Sequence, residues 1–272
     1  MNATVTALAD RFAALHRGPG AFLIANAWDV ASARILEGLG YPALATSSGA
    51  AAATLGRSDG QITREEALGQ ARTMAASVAI PLAGDLENGF GPAPEDAALT
   101  IRQAAEAGLV GGSIEDATGD SADPIFEFGL AVERVAAAAE EARRHPFLLT
   151  ARTENFLHRR PDLDDTIARL KAFEKAGADV LFAPGLPDLD AVRAVCQSVS
   201  KPVNYMQGIP GRSFSAKDLA EAGVKRISLA TSLYRTAMSA LVDAAREAKE
   251  QGTFSYVDAT TGERDMNRYV GR

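Results

Sequence analysis

The sequence predicts a single (β/α)₈ barrel, and three features of the chain support this prediction. Eight short apolar segments alternate with segments of helical apolar spacing along the 272 residues, which is typical of a parallel sheet covered by helices. The apolar segments are nearly continuous, as expected of strands that are buried on both faces. An Ala-Gly pair precedes three of them, as glycine does when it closes a helix in the left-handed region.

The predicted elements occupy most of the chain. Strand candidates lie at 22–27, 43–47, 81–87, 111–115, 147–152, 179–183, 202–205 and 226–229. Helical spacing is clearest at 65–78, 94–107, 128–144, 163–176 and 188–199. A doubly wound open sheet is the alternative, but eight units with no GxGxxG motif after the first strand favour a closed barrel. We therefore expect one domain over 1–272, with its barrel core at about 22–233 and a C-terminal helix and tail at 234–272.

The composition narrows the classes of partner and compartment. Asp and Glu number 35 against 28 Lys and Arg, and the net charge of −7 disfavours binding to nucleic acid or to an anionic membrane surface. The single cysteine, Cys196, excludes an intrachain disulfide and fits a reducing compartment. The chain has no signal-like start and no apolar run long enough to cross a bilayer. We expect a cytoplasmic protein with neither a membrane nor a nucleic-acid partner.

Two pairs of acidic residues close successive predicted strands. Asp85 and Glu87 close the third strand, and Glu115 and Asp116 close the fourth. Side chains two apart in a strand share a face, so Asp85 and Glu87 repel each other unless a cation lies between them or one is protonated. Oxygen ligands at two neighbouring strand ends indicate a hard divalent cation, Mg²⁺ before Zn²⁺. Solvated loop acids or helix caps are the alternative.

Small polar residues end the second predicted strand. Thr46, Ser47, Ser48 and Gly49 stand where a barrel enzyme carries its catalytic loops. Their small size would let backbone N–H groups approach a substrate carboxylate closely. Tight packing at a turn explains the same pattern equally well.

Three further polar residues fall near strand ends. Arg152 closes the fifth predicted strand, Asn204 closes the seventh, and Asp59 lies in the loop after the second. An arginine in an apolar strand needs a partner, so Arg152 is either half of a structural ion pair or a clamp for an anionic substrate. Its position at the strand end favours the clamp.

The order of these motifs resembles that of the isocitrate lyase and phosphoenolpyruvate mutase superfamily. The resemblance rests on Asn26-Ala27-Trp28-Asp29, Thr46-Ser47-Ser48-Gly49, Leu55-Gly56-Arg57-Ser58-Asp59, Asp85-Leu86-Glu87-Asn88-Gly89-Phe90-Gly91, Ile114-Glu115-Asp116 and Ala151-Arg152-Thr153-Glu154. Each piece alone is weak, but the combination is specific and spans the predicted barrel. It implies a Mg²⁺-bearing barrel that binds α-oxo or 2-hydroxy carboxylates. Such enzymes cleave or form carbon-carbon or carbon-phosphorus bonds through a pyruvate enolate or a related species.

The resemblance also implies a role for individual residues. Asp85 would be the direct ligand of Mg²⁺, for which Mn²⁺ can substitute, while Asp59, Glu87 and Glu115 would hold metal-bound waters. The implied substrate-binding residues are Trp28, Thr46, Ser47, Ser48, Arg152 and Asn204. The implied catalytic residues are Arg152, Asp59 and Glu115. The family's last helix packs onto, or is exchanged with, a neighbouring subunit, so 232–252 is a candidate contact in a homotetramer or homodimer.

The chain departs from the family in the loop after the fourth strand. Lyases of the family carry a cysteine there as the acid, whereas residues 117–124 read Ala-Thr-Gly-Asp-Ser-Ala-Asp-Pro. Cys196 is no replacement, because it lies in an outer-helix pattern and is expected to serve packing. Pro184 stands where the mutase has a histidine. Thr118, Asp120 and Glu154 remain as candidate proton donors.

The three histidines are His16, His145 and His158. We expect His16 and His145 to lie on the surface, because one is near the terminus and the other ends a helix. His158 follows the strand of Arg152 and is the one histidine placed to reach the barrel mouth.

The expected function is that of a Mg²⁺-dependent carbon-carbon lyase or decarboxylase acting on a small α-oxo or 2-hydroxy carboxylate. Carbon-phosphorus chemistry on phosphonopyruvate or phosphoenolpyruvate, by a mutase or a hydrolase, is the second expectation. A barrel that binds an α-keto acid without converting it is the third, because the acid-bearing loop is missing. The sequence names no substrate.

Overall fold

The computed structural model describes residues 3–271, and its eight parallel strands form a closed barrel. The strands are β1 Phe22–Ala27, β2 Leu44–Thr46, β3 Leu82–Asp85, β4 Gly111–Glu115, β5 Leu148–Arg152, β6 Val180–Phe182, β7 Val203–Met206 and β8 Arg226–Ser228. Each strand pairs with the next along the chain, and β8 pairs with β1 to close the sheet. The predicted (β/α)₈ barrel is confirmed.

Helices alternate with the strands and cover the outside of the barrel. They are α1 Ala3–Arg17, α2 Val30–Gly38, α3 Ser48–Thr54, α4 Arg64–Ala75, α5 Pro94–Glu106, α6 Phe128–Ala142, α7 Leu163–Ala176, α8 Leu189–Ser198, α9 Ala216–Glu221, α10 Ser232–Gln251, α11 Tyr256–Ala259 and α12 Glu263–Val270. In the described residues 3–271, no helix is both long and apolar enough to cross a membrane.

Five strands end one or two residues away from the prediction, and the ends of β3 and β7 bear on the site. β3 stops at Asp85, because Glu87 has a φ of 49° and cannot continue a strand. The alternation argument that placed Asp85 and Glu87 on one strand face is therefore wrong. β7 continues to Met206, so Asn204 lies within the strand instead of closing it. Its side chain belongs to the barrel interior, below the strand ends.

Helix α1 closes the N-terminal end of the barrel. Phe12 of this helix packs in one buried cluster with Ile24, Ala83 and Val110. The approach is close, since a Cβ atom built on Gly111 would lie 2.8 Å from the Phe12 ring. Gly111, at the start of β4, therefore leaves the space that the Phe12 ring occupies.

His16 is buried at this end of the barrel, so the expectation that it lies on the surface is wrong. Its ring packs edge-on against Phe12 and Phe22, at centroid distances of 4.7 and 5.0 Å. Nδ1 lies 2.9 Å from the carbonyl oxygen of Phe12, and since a carbonyl can only accept, Nδ1 carries the proton. Burial, aided by the nearby charge of Arg226, lowers the pKa of His16 to about 3.

Helix α10 extends from the end of the barrel without covering it. None of its 20 residues is buried. Leu241 and Val242 are 60% and 50% exposed, and Phe254 beyond the helix is 61% exposed. The last helix, α12, returns to helix α2, where Arg34 donates a hydrogen bond to the carbonyl of Val270.

The burial of His16 predicts a specific pH dependence of stability. The ring titrates near 3 when folded and near 6.5 when unfolded, so protons favour the unfolded chain below pH 6.5. Its neutral form contributes stability that is complete above pH 6.5 and falls by about 1.4 kcal/mol per pH unit toward pH 3. His16→Gln should flatten the loss of unfolding free energy between pH 6.5 and 4.5, measured by urea denaturation.

His145→Gln provides the control for this measurement, because that ring lies partly exposed in the turn after α6, beside Glu141. The control should keep the slope of the unmodified protein. If His16→Gln and the unmodified protein lose stability at the same rate on acidification, the buried ring does not control acid stability.

Candidate active site

The C-terminal ends of the strands surround a cavity of about 960 Å³. Its wall includes nine of the ten residues expected to bind metal or substrate or to act in catalysis: Thr46, Ser47, Ser48, Asp59, Asp85, Glu87, Glu115, Arg152 and Asn204. Trp28 is not part of the wall, since its ring packs edge-on against Tyr234 at 5.4 Å. His158 lines the mouth as expected.

Arg152 is the positive centre of this cavity. Its Nε donates to Glu154, and its Nη1 lies 3.3 Å from Glu115 Oε2 and 3.7 Å from Asp85 Oδ1. Burial alone would lower the pKa of Arg152, but the carboxylates of Glu154, Glu115 and Asp85 outweigh it and raise that pKa. Its guanidinium carbon also lies over the ring of Phe182, 5.1 Å from the centroid.

Asp85 is held by the polar residues that end β2. Its Oδ2 accepts hydrogen bonds from the Ser48 hydroxyl at 2.9 Å and from the Ser48 backbone at 3.2 Å. The Asp85 backbone donates to the Thr46 hydroxyl at 2.9 Å, and Ser47 caps α3 by accepting from Ala50. These three hydroxyls therefore organise Asp85 and the turn, while their predicted contact with a substrate carboxylate stays a prediction.

Asp59 and Glu87 bring two more carboxylates to the same place. Asp59 lies over Gly49, where an added Cβ would be 3.1 Å from its Oδ2. Burial, and after it the charge of Asp85, raises the pKa of Asp59. The same two causes raise the pKa of Glu87 to about 8. The charge of Asp85 thus makes both Asp59 and Glu87 harder to ionise.

Glu115 completes the cluster from the end of β4. Burial raises its pKa well above the usual range, against the opposing charge of Arg152. The charge of Glu154 adds to the increase. The contact with Arg152 therefore does not offset burial and the neighbouring carboxylates.

The residues present fit a hydrated Mg²⁺ ion. Two buried oxygens, Oδ1 of Asp85 and Oε1 of Glu87, have no hydrogen-bond partner, and burying a polar atom without a partner is costly. Within residues 3–271, no three His, Cys, Asp or Glu side chains are arranged to grip an ion together. One direct ligand, Asp85, with the other acids contacting waters agrees with this geometry, because Mg²⁺ keeps several waters.

Sequence reasoning missed the residue that shapes the turn after β3. Arg134 of α6 is 1% exposed and donates to the backbone carbonyls of Asn88, Gly91 and Ala93. Its guanidinium lies 4.3 Å from the ring centroid of Phe126. Helical spacing places residue 134 on the apolar face of α6, so a charged residue at that position was the signal that could have been read.

Glu154 is held by a second outer arginine. Its backbone donates to Asp116 Oδ1 at 2.8 Å, and Asp116 Oδ2 lies 3.2 Å from Arg169 on α7. Burial raises the pKa of Asp116 to about 6. Asp116, predicted beside Glu115 as a strand-end acid, therefore supports the loop instead of lining the cavity.

The loop at 117–124 brings no carboxyl or thiol group to the cavity. It contributes Ala117, Thr118 and Gly119 to the wall, and the Thr118 hydroxyl bonds within the loop to the carbonyl of Asp123 at 2.5 Å. Cys196 lies on α8, away from the cavity, where burial raises the pKa of its thiol to about 11. The interpretation of Cys196 as a packing residue agrees with this position.

Arg226, at the start of β8, is a second buried arginine that the sequence reasoning missed. It lines the inner end of the cavity, is 6% exposed and donates to Asn204 Oδ1 at 2.8 Å. The signal was the one used for Arg152, a lone arginine in an apolar strand.

Comparisons with known proteins cover the whole barrel. A family model described as phosphoenolpyruvate phosphomutase matches residues 12–249. A solved structure of a candidate lyase/mutase from Burkholderia cenocepacia J2315 has a TM-score of 0.97 and 48% identity, over 99% of this chain and 98% of that one. The structure of 2,3-dimethylmalate lyase, a PEP mutase/isocitrate lyase superfamily member, has a TM-score of 0.86 and 25% identity, over 100% of this chain and 95% of that one.

A sequence relative points to the same group. Oxaloacetate decarboxylase of Paraburkholderia xenovorans (strain LB400) is 32% identical over 228 residues, which are 81% of this chain and 75% of that protein. Its similarity therefore extends over most of both chains. The family match over 12–249, together with the barrel and its acidic mouth, establishes that this chain belongs to the phosphoenolpyruvate mutase and isocitrate lyase superfamily.

Proposed function

We propose that this protein is a Mg²⁺-dependent decarboxylase of a small 2-oxo dicarboxylate of the oxaloacetate type, with pyruvate and carbon dioxide as products. The observation that carries the proposal is the acidic cluster around Arg152 at the cavity mouth. Two of its buried carboxylate oxygens have no hydrogen-bond donor. The name of the oxaloacetate decarboxylase relative supports the choice of substrate class.

The chain's own residues supply binding and charge. Arg152 would hold the oxo oxygen or the carboxylate of the substrate, because its planar guanidinium can donate two bonds to such groups. A bound Mg²⁺ would act as a Lewis acid that draws electrons toward the oxo group. Glu115 and Glu154, which flank Arg152, are carboxyl groups from which the product carbon can later receive a proton.

The loop at 117–124 favours decarboxylation over cleavage of a 2-hydroxy acid. When carbon dioxide leaves, the electrons of the broken bond move toward the oxo group, and the leaving group needs no proton. Cleavage of a 2-hydroxy acid needs a base at the hydroxyl and an acid at the carbon that leaves. The loop brings only Ala117, Thr118 and Gly119 to the cavity, so it supplies neither the cysteine that the family's lyases carry there nor a carboxyl group in its place.

Carbon-phosphorus chemistry is the second candidate. Arg64, His158 and Arg235 line the outer part of the cavity, and this arrangement suits a phosphonate dianion. The description of the matching family model, phosphoenolpyruvate phosphomutase, favours the same chemistry.

The proposal includes a partner and a compartment. The exposed apolar residues of α10, Leu241 and Val242, support contact with a second copy of the chain in a homotetramer or homodimer. A cytoplasmic location agrees with the single cysteine.

A product panel tests the proposal. The protein would be incubated with Mg²⁺ and, separately, oxaloacetate, a 2-hydroxy dicarboxylate or phosphonopyruvate, while pyruvate, carbon dioxide and phosphate are measured. We expect pyruvate and carbon dioxide in equal amounts from oxaloacetate, above the rate of Mg²⁺ alone. Phosphate release with no decarboxylation would replace the proposal with the second candidate, and binding without any product would leave a binding protein.

Asp85→Asn tests the metal site. The substitution keeps the shape of the side chain and an acceptor for Ser48, but removes the charge that a hard cation needs. We expect kcat/KM to fall by a hundredfold or more, on the order of a lost metal site, and the Mg²⁺ signal in calorimetry to disappear. Asp190→Asn, on the exposed face of α8, is the control. Unchanged Mg²⁺ affinity in a folded Asp85→Asn protein would remove Asp85 from the ligand set.

Arg152→Lys tests the clamp. Lysine keeps the positive charge but loses the planar pair of donors, so we expect kcat to fall by roughly 10²-fold. Arg160→Lys makes the same change at an exposed position after β5 and should leave kcat unchanged. Steady-state kinetics with parallel melting curves make the comparison. A kcat within twofold of the unmodified protein would mean that Arg152 is structural.

A further inference from the structure

The inner end of the cavity contains a buried positive charge that no acid of the described chain neutralises. Arg226 donates from Nε to Asn204 Oδ1 at 2.8 Å and from Nη2 to the Thr150 hydroxyl at 3.1 Å. Both acceptors are neutral. Burial lowers the pKa of Arg226 to about 9. A buried guanidinium without a carboxylate is costly, so its presence at this position needs an explanation.

Arg226 fixes which way the Asn204 amide faces. A guanidinium has donors and no acceptor, so the amide atom that it meets must be the oxygen. The amide nitrogen of Asn204 then points the other way and donates one of its hydrogens to the Ser228 hydroxyl at 3.0 Å. Its second hydrogen has no partner among the described residues, and Asn204 lines the cavity.

The orientation matters for an anionic ligand. With the amide held in this way, Asn204 offers an N–H donor to the cavity, which attracts a carboxylate or an oxo oxygen. If the amide turned over, it would offer its carbonyl oxygen, which repels the same groups. Asparagine alone has no preference, because its oxygen and nitrogen ends have nearly the same shape.

We propose that Arg226 is a positioning residue, which holds Asn204 with its N–H toward the cavity so that the inner end accepts an anionic oxygen of the substrate. In this role Arg226 acts through Asn204. The proposal deepens the decarboxylase function and rests on it for the identity of the substrate. The amide orientation is a property of the protein alone and can be tested without turnover.

The first experiment observes the Asn204 amide directly. In protein labelled with ¹⁵N-asparagine, the side-chain NH₂ signals that vanish in Asn204→Ala belong to Asn204. We expect these signals to be slow in solvent exchange in the unmodified protein, and to shift and exchange faster in Arg226→Met, which keeps the length of the side chain without any donor. Ile227→Val, on the outward and fully packed side of the same strand, should leave the signals in place.

The second experiment is a double-mutant cycle on oxaloacetate decarboxylation. Loss of one hydrogen bond to an anion corresponds to about a tenfold change, so Arg226→Met should raise KM by about tenfold while kcat changes little. In an Asn204→Ala background, Arg226→Met should change KM by less than about twofold, because the residue through which it acts is gone. Ile227→Val should leave KM unchanged.

The outcomes distinguish the positioning role of Arg226 from the decarboxylase function. Unaltered Asn204 signals in folded Arg226→Met overturn the positioning role, as does an Arg226→Met effect on KM that is equally large in the Asn204→Ala background. Absence of any oxaloacetate turnover in the unmodified protein overturns the decarboxylase function alone, and the amide signals still decide the role of Arg226.

Discussion

The site is organised by an excess of buried negative charge around one guanidinium. Arg152 contacts Asp85, Glu115 and Glu154, and Asp59 and Glu87 lie beside them in the same cavity. Burial and the neighbouring carboxylates raise the pKa of Glu87 and Glu115, and the charge of Arg152 does not offset them. Without a second cation such a cluster retains protons, and in the proposed function a hydrated Mg²⁺ ion would take their place.

Two arginines outside the cluster hold the loops that carry some of these acids. On one side, Arg134 binds three carbonyls of the turn that presents Glu87. On the other side, Arg169 binds Asp116, which in turn accepts a hydrogen bond from the backbone of Glu154. Both arginines come from outer helices. The rigidity of the mouth therefore depends on the contact between the helix layer and the loops, as much as on the sheet.

The sequence predicted the barrel and most of the acids because both follow from local patterns. Buried strands read as apolar runs, and acids that end such runs meet at one edge of a parallel sheet. What failed depended on contacts distant in sequence. His16 reads as a terminal surface residue until Phe22 and Arg226 are known to lie beside it, and Glu87 reads as a strand residue until the left-handed turn is seen. Arg134 and Arg226 could be recognised as charges in apolar patterns, but their partners could not be predicted.

The attachment of the acidic mouth to the outer helices has an evolutionary consequence. Because Arg134 holds the turn after β3 through backbone carbonyls, that turn keeps its shape whatever side chains face it across the cavity. The walls from β7 and β8, with Asn204 and Ser228, can change while the charged half is retained. Descendants of one ancestral barrel can thus acquire new specificities by altering one half of the site while they inherit the other intact.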